Sequence, residues 1–132
     1  MTKVLDRTIA VEYSPSRDDW AKIAETIWIT ALEGGSNHWI KYIHCGGHVL
    51  KSGFDVVVSN FDITIHHGSE GWGDDDVETE KVKAFDVIFD GIKLLDADRQ
   101  RQALTVDELG QLDAIDCDLI IQLGVFGEEV YC

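Results

Sequence analysis

The chain has 132 residues, 45% of them apolar, which suits one domain with one core. Its 25 acidic residues against 11 basic ones leave a formal charge of −14. That balance argues against nucleic acid as a direct ligand, because phosphate neutralisation needs clustered Lys and Arg, and against anionic membranes. Two readings of the acidity remain. One is solubility, which high net charge favours. The other is a negative surface that engages a basic patch on a nucleic-acid-binding partner.

No run of about 18 apolar residues is present, so no membrane span is expected. Residues 1–7 lack the apolar segment of a signal peptide. Cys45, Cys117 and Cys132 are odd in number and form no Cys-x-x-Cys, which fits a reducing cytoplasm.

Residues 7–13 alternate, with Ile9, Val11 and Tyr13 on one face, and predict an edge strand. Ser14-Pro15-Ser16 is a turn. Ser16 and Asp19 form a capping box with aspartate in place of the usual glutamate. A helix over residues 17–33 follows, apolar at Trp20, Ile23, Ala24, Ile27 and Ala31 and widened by Trp28, Ile29 and Leu32. Gly34 and Gly35 are expected to stop it through left-handed backbone. Ser36 or Asn37 then caps a new helical turn that carries Trp39.

Residues 54–58 and 61–66 predict two strands, joined by a hairpin at Ser59-Asn60. Residues 68–76 are a loop rich in glycine and acid. Residues 78–95 predict an amphipathic helix, apolar at Val82, Phe85, Ile88, Phe89, Ile92 and Leu95. Thr105 and Glu108 offer a second capping box and Leu104 with Leu109 a hydrophobic staple, for a short helix ending at Gly110. Residues 113–126 form the last helix, with Ile115, Leu119, Leu123 and Phe126 expected inward and Gly127 beyond its end. Residues 128–131 return to the sheet as a short strand. The sum is an α+β fold over residues 1–132: a small antiparallel sheet of three to four strands packed by three or four helices.

The foremost candidate site is the paired-glycine corner. If the polar row of the last helix faces it, Glu33, Asn37, Trp39, Asp118 and Gln122 form a pocket with an aromatic wall. Gln122 follows Asp118 by four residues, a spacing that supports a surface hydrogen bond. Gly34, Gly35, Ser36 and Asn37 could also cradle one phosphate at a helix N-terminus, with Lys41 the nearest cation. The bland alternative makes Trp39 a core residue.

Other clusters are weaker. His44, Cys45 and His48 lie within five residues, and His66 with His67 can fold near them; imidazole and thiolate suit zinc, but the spacing matches no standard site. Cys45 could be a nucleophile with His44 or His66 as base, yet no oxyanion site accompanies it. Asp74, Asp75, Asp76, Glu78 and Glu80 lack the spacing of a calcium loop and read as favourable charge at a helix start. No catalytic residue and no cofactor is assigned.

Two segments carry a resemblance. Ala31-Leu32-Glu33-Gly34-Gly35-Ser36-Asn37-His38-Trp39 resembles an Ala-Leu-Glu-Gly-Gly-x-Asn-Tyr-Trp motif. Residues 116–131, ending Leu123-Gly124-Val125-Phe126-Gly127-Glu128-Glu129-Val130-Tyr131, resemble a C-terminal Ala-Leu-Phe-Gly-Glu-x-Val-Tyr-Gly motif. Residues 85–95, with Asp90-Gly91-Ile92-Lys93-Leu94, fit as well. Both motifs are similar to those of a family of small bacteriophage and prophage proteins without an established activity. His38 stands where tyrosine is usual, Gly124 where alanine is, and Cys132 where glycine is.

The resemblance implies a phage setting in the cytoplasm of a bacterial host cell. With the acidity, it leads us to expect a non-enzymatic accessory protein that acts by binding, against a host defence. It would block a basic surface of a host protein or capture a small nucleotide-like ligand. The alternatives are a metal-dependent hydrolase or nuclease accessory, and a structural or assembly protein; a homo-oligomer is compatible with each.

Overall fold

The computed structural model describes residues 15–50, 52–53, 55–56, 62–68 and 77–131. Helix α1 (Arg17–Thr30) runs without a break into a π-helical turn (Ala31–Gly35) and a 3-10 turn (Ser36–His38). Four strands follow: β1 (Ile40–Cys45), β2 (His48–Leu50), β3 (Asp62–His67) and β4 (Glu78–Lys83). The chain closes with α2 (Ala84–Lys93), α3 (Ala97–Leu104), a 3-10 turn (Val106–Gln111) and α4 (Ala114–Phe126). The strands form one antiparallel sheet in the order β2-β1-β3-β4, so the α+β expectation is met with four strands. No helix of the described residues is long and apolar enough to cross a membrane.

Side chains alternate across a strand, and paired residues share a face. Ile43 pairs with Ile65, and Ile63 with Val82, on the face that meets the helices. Ile63 and Ile65 are fully buried there with Ile23, Ile27, Ile88, Ile92, Ile120 and Ile121. The opposite face carries Tyr42, His44, His66, Thr64 and Lys81, and Tyr42 is 45% exposed. Among the described residues β4 lies at one edge of the sheet, where Lys81 and Lys83 are exposed.

The helix starts follow their caps. Ser16 Oγ accepts from the Asp19 amide at 3.2 Å, as its spacing predicted. Asp113 and Asp116 cap α4 reciprocally, each accepting the other's backbone N–H at 2.8 and 3.3 Å. Thr105 makes no side-chain cap; Glu108 instead accepts from Arg101 at 3.3 Å, and the segment is a 3-10 turn. Gly127, at φ 79°, ends α4 in the left-handed region that glycine enters cheaply.

Three expectations are corrected. Residues 78–95 are not one helix: Glu78–Lys83 is β4, and α2 begins at Ala84. Val82 fits both periods, and pairing with Ile63 in β3 decides between them. Glu78 and Glu80 therefore lie on a strand rather than at a helix start. Next, Asp55 and Val56 are helical, not extended, and Val56 is fully buried. The remainder of residues 54–61, the hairpin at Ser59-Asn60, the expected strand at residues 7–13, and Asp74, Asp75 and Asp76 lie outside the described residues. Finally, the buried arc of α4 is Cys117, Asp118, Ile120, Ile121 and Gln122; Leu119, Leu123 and Phe126 pack partly buried against the core as expected, but Ile115 is 76% exposed. This helix is apolar around most of its circumference, so periodicity alone could not orient it.

Two close contacts with α2 orient it instead. A Cβ on Gly91 of α2 would collide with the carbonyl oxygen of Ile120, and one on Gly124 of α4 with that of Val87. The two helices therefore cross with backbone against backbone. We expect Gly124→Ala to lower stability by roughly 1–3 kcal/mol from overpacking, beyond the ~1 kcal/mol that alanine gains in helix propensity. A urea unfolding midpoint that is unchanged or raised in this variant would contradict the crossing.

Candidate functional site

The corner after α1 is built by a change of helical pitch. Neither Gly34 nor Gly35 is left-handed; Gly35 has φ −116°. The helix widens into the π turn and then tightens into the 3-10 turn, which ends at Trp39. Glycine is needed at position 35 for closeness: a Cβ there would meet the Ala114 carbonyl and lie 2.9 Å from the Asp118 Cβ. The expected left-handed stop is thus replaced by close packing on α4. Trp39 emerges next to β1, and its carbonyl accepts from Gly68 N at 2.9 Å, fixing the corner to the end of β3.

That packing brings Ser36, Trp39 and Gln122 onto one carboxylate. Asp118 Oδ1 accepts from Ser36 Oγ at 2.6 Å and from Trp39 Nε1 at 2.7 Å. Asp118 Oδ2 accepts from Gln122 Nε2 at 2.9 Å. The bond from Gln122 to Asp118 has the predicted spacing, but it is interior rather than on the surface: Gln122 and Trp39 are 0% exposed and Asp118 is 7% exposed. Gln122 also holds the chain end. Its Nε2 donates to the Tyr131 carbonyl at 2.7 Å, and its Oε1 accepts from the amides of Val130 and Tyr131 at 2.8 and 2.7 Å. Residues 128–131 thus pair with a side chain, not with the sheet as expected.

A second polar row continues from Tyr131. Its hydroxyl lies 2.7 Å from His67 Nδ1, and His67 Nε2 lies 3.2 Å from Glu80 Oε2. With Nε2–H donating to the carboxylate, Nδ1 accepts from the phenol, a tautomer assigned from this network. Burial, and then Glu78 and Glu80, hold the Tyr131 phenol above its ordinary range, so it stays protonated. Its ring stacks on Trp39 with centroids 5.1 Å apart and planes 10° apart, and Phe126 packs on both. The row has the members of a relay, but its terminal oxygen is a protonated phenol engaged with His67.

The sequence-predicted residues therefore divide. Gly35, Ser36, Trp39, Asp118 and Gln122 converge, with the indole and carboxamide sealed inside. Glu33, Gly34 and Asn37 are exposed and do not join them. The arrangement at Trp39 is consequently an internal polar network and not an open pocket. Against Ser36, where a phosphate was considered, sits the carboxylate of Asp118, and a second anion there would meet like charge. His38 donates through Nδ1 to the Gly35 carbonyl at 2.6 Å, leaving Nε2 buried with no hydrogen-bond partner. His67 and Tyr131 were missed by the sequence reading as site members; the phasing of β3 and the chain-end motif were the available signals.

The histidine cluster is split by the strands. His44 Nδ1 lies 2.8 Å from His66 Nε2 on the open sheet face, and Tyr42 stacks on His66 at 4.0 Å and 13°. Cys45 pairs with His48, so those two point to the other side of the sheet. Among the described residues no group of three or more His, Cys, Asp or Glu is placed to hold a metal ion. Burial, followed by Asp116 and Asp113, pushes the Cys117 thiol up to about 12, which leaves it a core side chain.

Compared with known proteins, the chain matches no family model, no curated protein and no solved structure.

Two outcomes test this geometry. Asp118→Ala strips the acceptor from three buried neutral donors, each of which costs about 1–3 kcal/mol when left unsatisfied, whereas Glu33→Ala should stay within about 0.5 kcal/mol; equal urea midpoints for the two variants would refute the network. The second concerns His66, whose imidazole is held below its ordinary 6.5 by burial, then by His44 and His67. The unfolded chain then binds the proton first, so this contribution is intact above pH 6.5 and shrinks as pH falls through that value toward the lowered one. His66→Gln should flatten the loss of stability between about pH 7 and pH 5; an unaltered slope would show that His66 is not held below its ordinary range.

Proposed function

We propose that this chain is a non-enzymatic binding protein whose acidic exterior docks on a basic surface of a partner protein. The resemblance to phage proteins supplies the setting: an accessory protein in a bacterial host, acting against a host defence that uses a nucleic-acid-binding protein. The observation that carries the reading is the excess of carboxylates over cations, 25 against 11, combined with where the cations are spent. Lys83, Lys93, Arg99 and Arg101 are each ion-paired with Asp or Glu of the chain itself. Glu33, Asp107, Glu128 and Glu129 remain exposed without an ion pair among the described residues. Such a surface steers toward positive charge and repels competing anions.

Capture of a nucleotide-like ligand at Trp39 is not the reading favoured here, because that indole is fully buried and hydrogen-bonded. A metal-dependent hydrolase draws no support from His44, Cys45 and His48, which the sheet separates.

The test is to recover the protein from phage-infected cells, identify what co-purifies, and measure binding of that protein across salt. Affinity should fall at least about tenfold between roughly 50 and 200 mM salt, since the screening length shortens across that range, through about 10 Å at 0.1 M and about 8 Å at 0.15 M. Neutralising Glu33, Glu128 and Glu129 to Gln should slow association while leaving the fold intact. Salt-independent binding, or an acidic partner, would sink the proposal.

A further inference from the structure

Strand β2 pairs only with Ile43, His44 and Cys45, so among the described residues the first half of β1 has no neighbour on that side. A cleft of about 280 Å³ opens there, between β1 and the turn that follows α1. Leu32, Ile40, Val49 and Leu50 give it apolar walls, while Asn37 and Tyr42 contribute polar and aromatic groups. Pockets for drug-sized ligands measure roughly 300–1,000 Å³, so this smaller cleft suits no more than one fused ring system.

Tyr42 is unusually well held for a ring that is 45% exposed. One face lies against His66, centroids 4.0 Å apart and planes 13° apart, and His66 is fixed in turn by His44 at 2.8 Å. An exposed ring immobilised in advance loses little entropy when a second ring stacks on it. Asn37 is exposed, and its carboxamide makes no hydrogen bond among the described residues. A carboxamide offers a donor beside an acceptor, the pattern that pairs with the edge of a purine. The charge of −14 disfavours a polyanion, and Lys41 is the cation among the described lining residues.

We propose that this cleft binds a purine-type ring, stacked on Tyr42 and hydrogen-bonded by Asn37, presented either as a nucleoside or as a nucleotide. The site is separate from the network around Trp39 and does not depend on the acidic surface docking anywhere.

Calorimetric titration of the full chain with adenosine, AMP and inorganic phosphate tests it. Adenosine should bind, Tyr42→Ala should weaken it by roughly 5- to 150-fold, the loss expected for one stacked base, and Tyr42→Trp should retain it. Asn37→Ala should weaken it independently. Tighter binding of AMP would identify the nucleotide as the source; equal or weaker binding would identify the nucleoside. The proposal is overturned by absence of adenosine binding up to about 10 mM, weaker than the affinity of a single stacked ring, by binding that Tyr42→Ala leaves unchanged, or by phosphate alone binding as well as AMP. Thermal melts of the variants separate lost binding from lost folding, since Tyr42 and Asn37 lie outside the core.

Discussion

One buried carboxylate organises the half of the molecule that the sequence marks most strongly. Asp118 is 7% exposed and so must be solvated by the protein itself. It obtains that solvation from three donors on separate parts of the chain: a serine hydroxyl in the turn, an indole N–H beside β1, and a carboxamide one helical turn further along α4. Hydrogen bonds to a charged group contribute about 1.5–3 kcal/mol each, roughly twice the neutral kind. The corner, the start of the sheet and the last helix are therefore tied at one point. Gln122 extends the tie to the chain end by presenting its carboxamide to Val130 and Tyr131 as a strand backbone would. The Tyr131 hydroxyl then reaches His67 in β3, so the sheet is joined to the same network from its other side.

The convergence of Trp39 with Asp118 and Gln122 was legible from the four-residue spacing on one helix face, but the part played by the glycines was not: they read as a left-handed stop, whereas Gly35 serves close packing on α4. What the residues do not disclose is depth. A polar row beside an aromatic residue reads equally as a pocket and as an interior network. Only the satisfaction of every donor by an internal acceptor separates the two. The face of α4 was misjudged for a related reason. Its apolar residues surround the axis, and a period cannot be extracted from a helix buried on both sides. Gly91 and Gly124 held the missing information, since each marks a point where another backbone touches. At residues 78–83 the difficulty was different: Val82 satisfies both periods, and pairing with β3, a long-range event, outweighed local periodicity.

The sheet divides the titratable groups as it divides the apolar ones. His67 faces inward, with Glu80 and Tyr131 as partners, while His66 faces outward against His44 and Tyr42. Neighbouring histidines in one strand thus enter unrelated environments, one interior and one half open to water. The same alternation places Cys45 and His48 away from His44, which dissolves a cluster that looked dense along the chain. Closeness in sequence within a strand is a poor guide to shared chemistry, because successive side chains point in opposite directions.

These divisions separate the parts that hold the fold from the parts that can meet a partner. Ser36, Trp39, Asp118, Gln122, Tyr131 and His67 use their polar atoms on one another, so changing any of them alters the scaffold before it alters recognition. Asn37, Tyr42, Glu33, Glu128 and Glu129 leave polar or aromatic groups facing water, and substitution there touches little of the core. Asn37 and Ser36 are adjacent in sequence yet fall on opposite sides of this line, because the 3-10 turn rotates one outward and the other onto Asp118. A motif that spans both, as residues 31–39 do, therefore carries two constraints at once. Its glycine, serine and tryptophan pack on or bond to the interior carboxylate, and its asparagine lines the cleft beside β1.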